Sequence, residues 1–212
     1  MSEVNERLAA ENAVLIGKLP YSFYAIENNI FSVNDTLKEL QYQYISATVI
    51  NYSNHKRNNY ATINKGSLAG IELDMGVIVN NGIVGFVIDV SKHYAIIRTI
   101  LSERINVVVE VNDIMGQLDW RGYSNQICHI KGITSSSKIT KGDSVFTKGS
   151  NSHFPKGILV GTVDEVEVMN GSATLTIPVK ISTDFTALNH VYIVNNIFKN
   201  EQQNIEQKYY GN

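Results

Sequence analysis

The chain has 212 residues, of which 43% are hydrophobic and one is a cysteine, and its formal net charge is −2. The near-neutral charge argues against nucleic acid as a partner, because neutralising a phosphate backbone needs a basic surface. The single Cys128 excludes a disulfide within the chain. No apolar run approaches the roughly 18 residues that a membrane span needs. Residues 1–10 carry Glu3 and Glu6 without an apolar core, which argues against a signal peptide.

Residues 1–19 are predicted to form a helix with one coiled-coil seam. Asn5, Leu8, Asn12 and Leu15 follow a heptad spacing, with the asparagines at a positions and the leucines at d positions. Asparagine at an a position fixes register and partner number at some cost in stability. Because so short a helix is marginal alone, two interpretations stay open. Either the segment is the truncated end of a longer coiled coil that holds a homodimer, which we favour, or it packs on its own domain.

The rest of the chain is predicted to be an all-β body between two irregular segments. Residues 20–41 are predicted to be a linker, and the Gln-, Asn- and Glu-rich residues 197–212 a disordered tail. About a dozen short apolar runs separated by Gly-rich turns indicate small barrels or sandwiches. The cleanest alternation runs from Ile105 to Val111 and from Thr174 to Ile181.

We expect two small β-barrels of the six-stranded type, preceded by the helix. In the favoured division, residues 42–91 and 159–196 form the first barrel, and residues 92–158 form a second barrel inserted into it. The reason is that the strands after residue 159 match those before residue 91 in length and pattern. In the alternative, the barrels are sequential and divide near residues 110–125.

A tight hairpin is predicted between Met75 and Val90. Asn81-Gly82 separates two apolar runs, and this dipeptide is typical of two-residue turns whose central residues both need a positive φ. Gly85 falls inside the second run, where a strand bends or another backbone comes close. A loosely related unit later in the chain supplies the other structural turn residues, Gly142, Asp143, Gly149, Gly157 and Gly161.

One alternative function is enzymatic, because Gly142–Ser144 resembles the start of the nucleophile loop of trypsin-like proteases, which also have two barrels. That chemistry needs a base within hydrogen-bond reach of Ser144 and an oxyanion hole. Val145 stands where the proteases have glycine, and the early candidate bases, His55 and His93, lie in no protease-like setting. We therefore favour a turn in which the aspartate bonds its own backbone, and we predict no catalytic residue.

No metal or cofactor is predicted either. The five histidines show no spacing typical of a metal site. The neighbours Cys128 and His129 point to opposite faces of a strand, so they cannot share a metal.

Four stretches of the sequence, in their order and spacing, resemble one family of bacterial proteins. They are Glu11-Asn12 with Leu15; Ala47–Ile50 with Ala61–Ser67 and Gly70-Ile71; Met75–Val77 with Gly82–Gly85; and Lys141–Gly149 with Phe154–Ile158 and Val160-Gly161. The family is that of the rod shape-determining protein MreC, and the resemblance covers about residues 8–194. Lys148 departs from the family, which more often has a small residue there, and we expect only a change of turn surface.

The resemblance implies a cytoplasmic N-terminus, one transmembrane helix absent from these residues, an extracytoplasmic coiled coil and two β-barrels. It also implies a non-enzymatic periplasmic scaffold, anchored to the inner membrane, that maintains rod shape. Such a scaffold self-associates as a homodimer or filament, and it binds the membrane protein MreD and the penicillin-binding transpeptidase of elongation. A periplasmic membrane-fusion adaptor stays as a further alternative, because that class also joins a coiled coil to small barrels, although this chain shows one N-terminal helix.

Overall fold

Short alternating strands build two closed β-barrels in a computed structural model that describes residues 2–19, 22–26, 37–103, 105–134, 137–149, 153–166 and 174–210. Two helices flank them, α1 (Ser2–Ile16) and α2 (Lys199–Tyr210). The strands are β1 (Phe23–Ile26), β2 (Leu37–Leu40), β3 (Tyr42–Tyr52), β4 (Tyr60–Ile63), β5 (Gly76–Val79), β6 (Gly82–Val90), β7 (Ala95–Thr99), β8 (Val108–Val111), β9 (Ile114–Asp119), β10 (Ile127–Thr134), β11 (Ser144–Thr147), β12 (Leu159–Val163), β13 (Thr174–Ile181) and β14 (His190–Asn196).

The first barrel closes in the strand order β14-β3-β4-β7-β6-β5, and every neighbouring pair is antiparallel. Its inward residues, among them Ile63, Ile83 and Ile97, are fully buried. The last strand, β14, lies between β3 and β5. The chain therefore leaves this barrel after β7 and returns to close it.

The second barrel closes in the order β10-β13-β12-β11-β8-β9. Ile105, Val107, Val109 and Val111 are all buried, and so are the alternate residues of β13, which confirms both predicted period-two faces. The predicted fold class, two six-stranded barrels preceded by a helix, is confirmed.

The predicted boundaries between the barrels are wrong in detail. β7, predicted for the second barrel, pairs with β4 and β6 of the first. β12 and β13, predicted for the first barrel, pair with β11 and β10 of the second. Strand length and alternation are the same in both barrels, so the pattern does not encode which strand pairs with which.

The two irregular segments also contain regular structure. β1 and β2 pair antiparallel from Phe23↔Leu40 to Ile26↔Leu37, within the predicted linker, whose residues 20, 21 and 27–36 lie outside the described residues. The predicted disordered tail contains α2, while residues 211 and 212 of it are not described. Asn196 Oδ1 accepts a hydrogen bond from the Phe198 N–H, and this side-chain turn immediately precedes α2.

The two barrels touch at both ends of the β5–β6 hairpin. The tip of the hairpin contacts the connection after β13, and its base contacts the loop between β11 and β12. Thr183 Oγ1 donates a hydrogen bond of 2.8 Å to the carbonyl oxygen of Ile83. The imidazole of His153 stacks on Phe86, with ring centroids 5.2 Å apart, and bonds the Asp74 carbonyl oxygen through Nδ1. These contacts fix how the second barrel sits against the first.

Candidate interaction surface

One face of α1 is buried on the first barrel. Ala9, Ala13 and Ile16 are 6%, 6% and 9% exposed, and their spacing places them on one helix face. The small alanine side chains allow the helix backbone to lie close to β3. The hydroxyl of Ser22 donates to the Ile16 carbonyl oxygen at 2.9 Å and satisfies the end of the helix. The helix therefore packs on its own domain, as one of the two interpretations predicted.

The predicted seam lies on a different face of α1, and it is largely exposed. The d-position side chains of Leu8 and Leu15 are 46% and 58% exposed. Asn5 is exposed and Asn12 is half-buried. The two interpretations of α1 are thus compatible, because packing on the barrel uses one face and leaves the heptad face open to solvent.

The seam forms one wall of a groove, which we call the seam groove. The groove has a volume of about 420 Å³ and runs between α1, the tip of the β5–β6 hairpin and the second barrel. It continues beside Asn5 and Leu8 as a second hollow of about 330 Å³. Its walls are Asn12, Leu15, Ile16 and Leu19 of the helix; Ile78, Val79, Asn80, Asn81 and Gly82 of the hairpin; and Phe146, Gly157, Ile158 and Leu159 of the second barrel.

The hairpin tip has a different conformation from the one predicted. The turn residues are Asn80 and Asn81, none of the turn positions has a positive φ, and Gly82 already begins β6. The glycine is required for another reason: a Cβ there would lie 2.3 Å from Thr183 Oγ1. Asn81 Nδ2 donates a 3.0 Å hydrogen bond to the Ser182 carbonyl oxygen. The Asn-Gly pair therefore joins the two barrels.

The other predicted turn residues lie in both barrels, and of these only Gly157 lines the seam groove. A Cβ at Gly85, whose φ is +159°, would lie 2.0 Å from the Arg98 carbonyl oxygen, so the glycine allows two strands to approach closely. At Gly161 a Cβ would lie 2.3 Å from the Lys180 carbonyl oxygen. Gly142, Gly149 and Gly157 have positive φ in the turns on either side of β11.

Asp143 ends a turn that begins at Thr140, and its own N–H donates to the Thr140 carbonyl oxygen at 3.2 Å. Its carboxylate accepts hydrogen bonds from the Thr140 backbone N–H at 2.8 Å and from Asn112 Nδ2 at 2.7 Å. The hydrogen bond from the Thr140 backbone, together with those from the Thr140 hydroxyl and Asn112, lowers the pKa of Asp143. Asn112 belongs to the two-residue turn between β8 and β9, where it and Asp113 have φ of +49° and +64°.

The residues of the protease hypothesis are not brought together. Ser144 begins β11 in the second barrel, whereas His55 lies in the β3–β4 loop of the first barrel and contacts Asn54. His93 lies in the connection between β6 and β7. Among the described residues, no histidine makes a hydrogen bond to Ser144. The described part of the chain also contains no group of three or more His, Cys, Asp or Glu that could hold a metal ion.

Cys128 is a fully buried thiol, and burial together with the charge of Asp119 raises its pKa to about 12. None of the helices in the described ranges combines the length and apolar character that crossing a membrane requires.

Sequence reasoning missed the charged group at the edge of the second barrel. Glu110 on β8 is 8% exposed, and its carboxylate contacts the ammonium groups of Lys148 at 2.6 Å and Lys156 at 3.3 Å. Burial alone would raise the pKa of Glu110, but the hydrogen bonds and charges of the two lysines outweigh it and lower the pKa. The sequence feature that could have indicated this group is Glu110 itself, the single charged residue in the otherwise apolar run Val107–Val111. Thr183 and His153, which join the barrels, carried no comparable signal.

Two closed barrels, preceded by a helix that displays an exposed heptad seam, define a double-β-barrel protein. The chain matches the family described as "Rod shape-determining protein MreC, barrel core" over residues 49–195, and it belongs to this family.

Two curated relatives carry the name cell shape-determining protein MreC. The Listeria monocytogenes protein is 26% identical over 167 residues, which cover 76% of this chain and 56% of the relative. The Bacillus subtilis protein is 29% identical over 209 residues, which cover 90% of this chain and 71% of the relative. The chain thus spans little more than half the length of the first relative.

Solved MreC structures share the fold. The Listeria monocytogenes structure has a TM-score of 0.68 at 26% identity and covers 92% of this chain and 88% of its own. The Pseudomonas aeruginosa structure has a TM-score of 0.68 at 19% identity, and the match covers 72% of this chain and 99% of that structure. A complex between penicillin-binding protein PBP2 and MreC from Helicobacter pylori matches with a TM-score of 0.60 at 17% identity. The match covers 74% of this chain and 99% of the matched chain. At these low identities the last two show a common fold alone.

Proposed function

We propose that the chain is a non-enzymatic, extracytoplasmic scaffold of the cell-wall elongation machinery and that it self-associates through the α1 seam. The observation that carries this proposal is that one face of α1 is buried on the barrel while another face stays exposed. The first barrel buries Ala9, Ala13 and Ile16, whereas Leu8 and Leu15 remain about half exposed. A heptad face left open next to a groove is the geometry that a second helix fills.

The size of the seam sets how strong this contact is. Burying the exposed half of one leucine stabilises a complex by about 1 kcal/mol. Leu8 and Leu15 from two copies together contribute roughly 4 kcal/mol of burial, which is no larger than the free energy lost to restricted translation and rotation on association. The seam within these residues is therefore a weak contact, and a longer coiled coil or the groove wall has to strengthen it.

The seam proposal is tested by substituting its leucines with charges. The double variant Leu8→Glu/Leu15→Glu is expected to abolish concentration-dependent dimerisation in sedimentation equilibrium, because four carboxylates would face one another. Val14→Glu is the matched control: Val14 is 61% exposed on the same helix but lies off the seam. Circular dichroism verifies that both variants keep their fold. Equal dimerisation of the double variant and the control would exclude the α1 seam as the contact.

We further propose that the barrels recruit the penicillin-binding transpeptidase of elongation and that MreD is a membrane partner. Support comes from the Helicobacter pylori MreC, which shares this fold and whose structure is a complex with PBP2. A further solved structure of this fold is the major periplasmic domain of the cell shape-determining filament MreC, which supports an extracytoplasmic location.

Recruitment is tested by pull-down of the full chain with the extracytoplasmic domain of the elongation transpeptidase. We expect binding to survive Leu8→Glu/Leu15→Glu, because the recruiting surface is proposed to lie on the barrels outside the seam groove. If neither the chain nor the variant binds, direct recruitment is excluded. Binding lost only in the variant would place recruitment on the dimer or on the seam groove. Co-purification of MreD with the natural membrane-anchored protein tests the second partner.

A further inference from the structure

Helix α2 extends from the first barrel with few contacts of its own. Lys199 Nζ donates a 3.0 Å hydrogen bond to the Leu73 carbonyl oxygen at the root of the helix. From residue 200 to residue 209 every side chain is exposed, and Ile205 and Tyr209 are 57% and 74% exposed. A solitary helix of 12 residues is marginal in water. These two exposed residues share one face, because they are four positions apart.

The face belongs to a heptad pattern. Phe198 and Ile205 take d positions, and Gln202 and Tyr209 take a positions, with the spacing 4-3-4. The flanking e and g positions hold all four charged residues of the segment. They are Lys199 and Glu206 at e, and Glu201 and Lys208 at g.

These flanking charges fit one arrangement of two identical helices and oppose the other. In a parallel pair, the g position of one helix faces the next e position of its partner, so Glu201 would face Glu206 and repel it. In an antiparallel pair, g faces g and e faces e. Glu201 then faces Lys208 of the partner subunit, and Lys199 faces Glu206 of the partner subunit. Two-fold symmetry repeats both pairs, which gives four attractive contacts and no repulsive one.

We propose that α2 binds the α2 of a second copy of this chain in antiparallel orientation. In this alignment Phe198 meets the partner's Tyr209, and Ile205 meets the partner's Gln202. Gln202 also donates to Glu206 within its own helix at 2.8 Å, so its amide is not left unsatisfied.

This contact is separate from the α1 seam. β3 and β14 pair from Thr48↔His190 to Asn196↔Tyr42, and the seam groove reaches His190 beside Asn5. Helix α2 leaves from Asn196 at the other end of the same strand, about 20 Å from the Asn5 end of the seam. The C-terminal end of α1 lies nearer, because Ala13 and Gly17 share a hollow with Tyr42, so the two contacts are distinguished by the residues they use. The inference therefore goes beyond the proposed seam dimer and does not depend on it.

The test uses charge reversal in the full chain carrying Leu8→Glu/Leu15→Glu, so that association through α1 is removed. The parent is expected to dimerise weakly in sedimentation equilibrium. Glu201→Lys and Lys208→Glu each place two like-charged pairs in the antiparallel dimer and weaken it roughly tenfold. The double variant restores the attraction and returns the dissociation constant to within about twofold of the parent. Gln203→Lys, at an outward b position, is the control and leaves association unchanged.

Helix stability alone predicts a different order, because both reversals oppose the helix dipole. The double variant would then be the weakest of the series, and that result would overturn the proposal. A parallel pair is also distinguishable, since Glu201→Lys would relieve its repulsion from Glu206 and tighten the dimer. A parent that stays monomeric at millimolar concentration overturns the proposal as well. None of these outcomes bears on whether the chain without the Leu8 and Leu15 substitutions dimerises through α1.

Orientation is confirmed by crosslinking. A mixture of Glu201→Cys and Lys208→Cys chains under a mild oxidant is expected to form the mixed disulfide faster than either variant pairs with itself. Cys128 does not compete, because it is fully buried. Preferential crosslinking of Lys208→Cys with itself would contradict the antiparallel alignment.

Discussion

Lys148 is predicted to stabilise the second barrel through the buried carboxylate of Glu110. The two groups are 2.6 Å apart, and their side chains are 27% and 11% exposed. The substitution Lys148→Met removes the ammonium group and keeps most of the aliphatic stem. Glu110 would then retain only Lys156, at 3.3 Å, whose side chain is 61% exposed.

The expected cost follows from this burial. Breaking a fully buried ion pair costs about 3–5 kcal/mol, whereas an exposed pair contributes less than about 1 kcal/mol. Because Glu110 is buried, Lys148 is partly exposed and Lys156 gives partial compensation, we expect Lys148→Met to lower the free energy of unfolding by about 1.5–3 kcal/mol. Lys156→Met is the matched control at the same carboxylate, and we expect it to cost less than about 1 kcal/mol.

Urea unfolding of a double-mutant cycle measures the interaction. In a Glu110→Gln background, Lys148→Met should lower the free energy of unfolding by less than about 1 kcal/mol, because the carboxylate that pairs with Lys148 is absent. The pKa of Glu110 is lowered in the folded chain, so the pair stabilises the fold above the carboxyl's unfolded pKa and loses this effect as pH falls through the folded value. The difference between wild type and Lys148→Met should therefore shrink in acid. Equal costs in both backgrounds, or a difference independent of pH, would refute the ion-pair reasoning.

Two further predictions concern the junction of the barrels and the thiol. Gly82→Ala is expected to lower the free energy of unfolding by about 1–3 kcal/mol, since its Cβ would lie 2.3 Å from Thr183 Oγ1; Gly17→Ala, whose nearest contact is 3.4 Å, is the control in the same urea assay. Cys128 is expected to react with a thiol reagent at pH 8 only after unfolding, because its pKa is raised to about 12 and it is fully buried. Labelling that proceeds at the same rate with and without denaturant would contradict that accessibility argument.

The parts of the fold that are encoded locally were predictable from the sequence. The face from Ile105 to Val111 was readable because inward residues alternate with period two, and all four members are buried. The helix α1 was predictable from the helical spacing of Asn5, Leu8, Asn12 and Leu15. The barrel to which β7, β12 and β13 each belong could not be predicted, because strands of equal length and pattern can close either barrel. Only the strand pairing determines which barrel each strand joins.

The polar segments show a different limit. The composition of residues 197–212 is that of a disordered tail, yet α2 forms there after a turn made by Asn196, and Glu201 and Lys208 lie near the helix ends where their charges match the dipole. Composition alone does not separate a solvated helix from disorder, whereas the turn and the placement of the charges favour the helix. Lys148 was expected to change only a turn surface, and it reaches the buried Glu110 because β8 and β11 are neighbours in the closed barrel.

The placement of the two proposed contacts determines what the chain can assemble. If the α1 seam and the heptad face of α2 each pair with an identical surface, as proposed, each generates a two-fold dimer. A subunit with two such contacts at separate places forms an open chain of subunits unless the two-fold axes intersect. Because the seam groove is walled by both barrels, their fixed orientation through Thr183 and His153 would set the angle between successive subunits. A change at the Gly82–Thr183 contact is therefore expected to alter the geometry of the assembly before it abolishes either dimer. Small-angle X-ray scattering of the wild-type and Gly82→Ala chains at millimolar concentration would detect this as a change in the shape of the assembly.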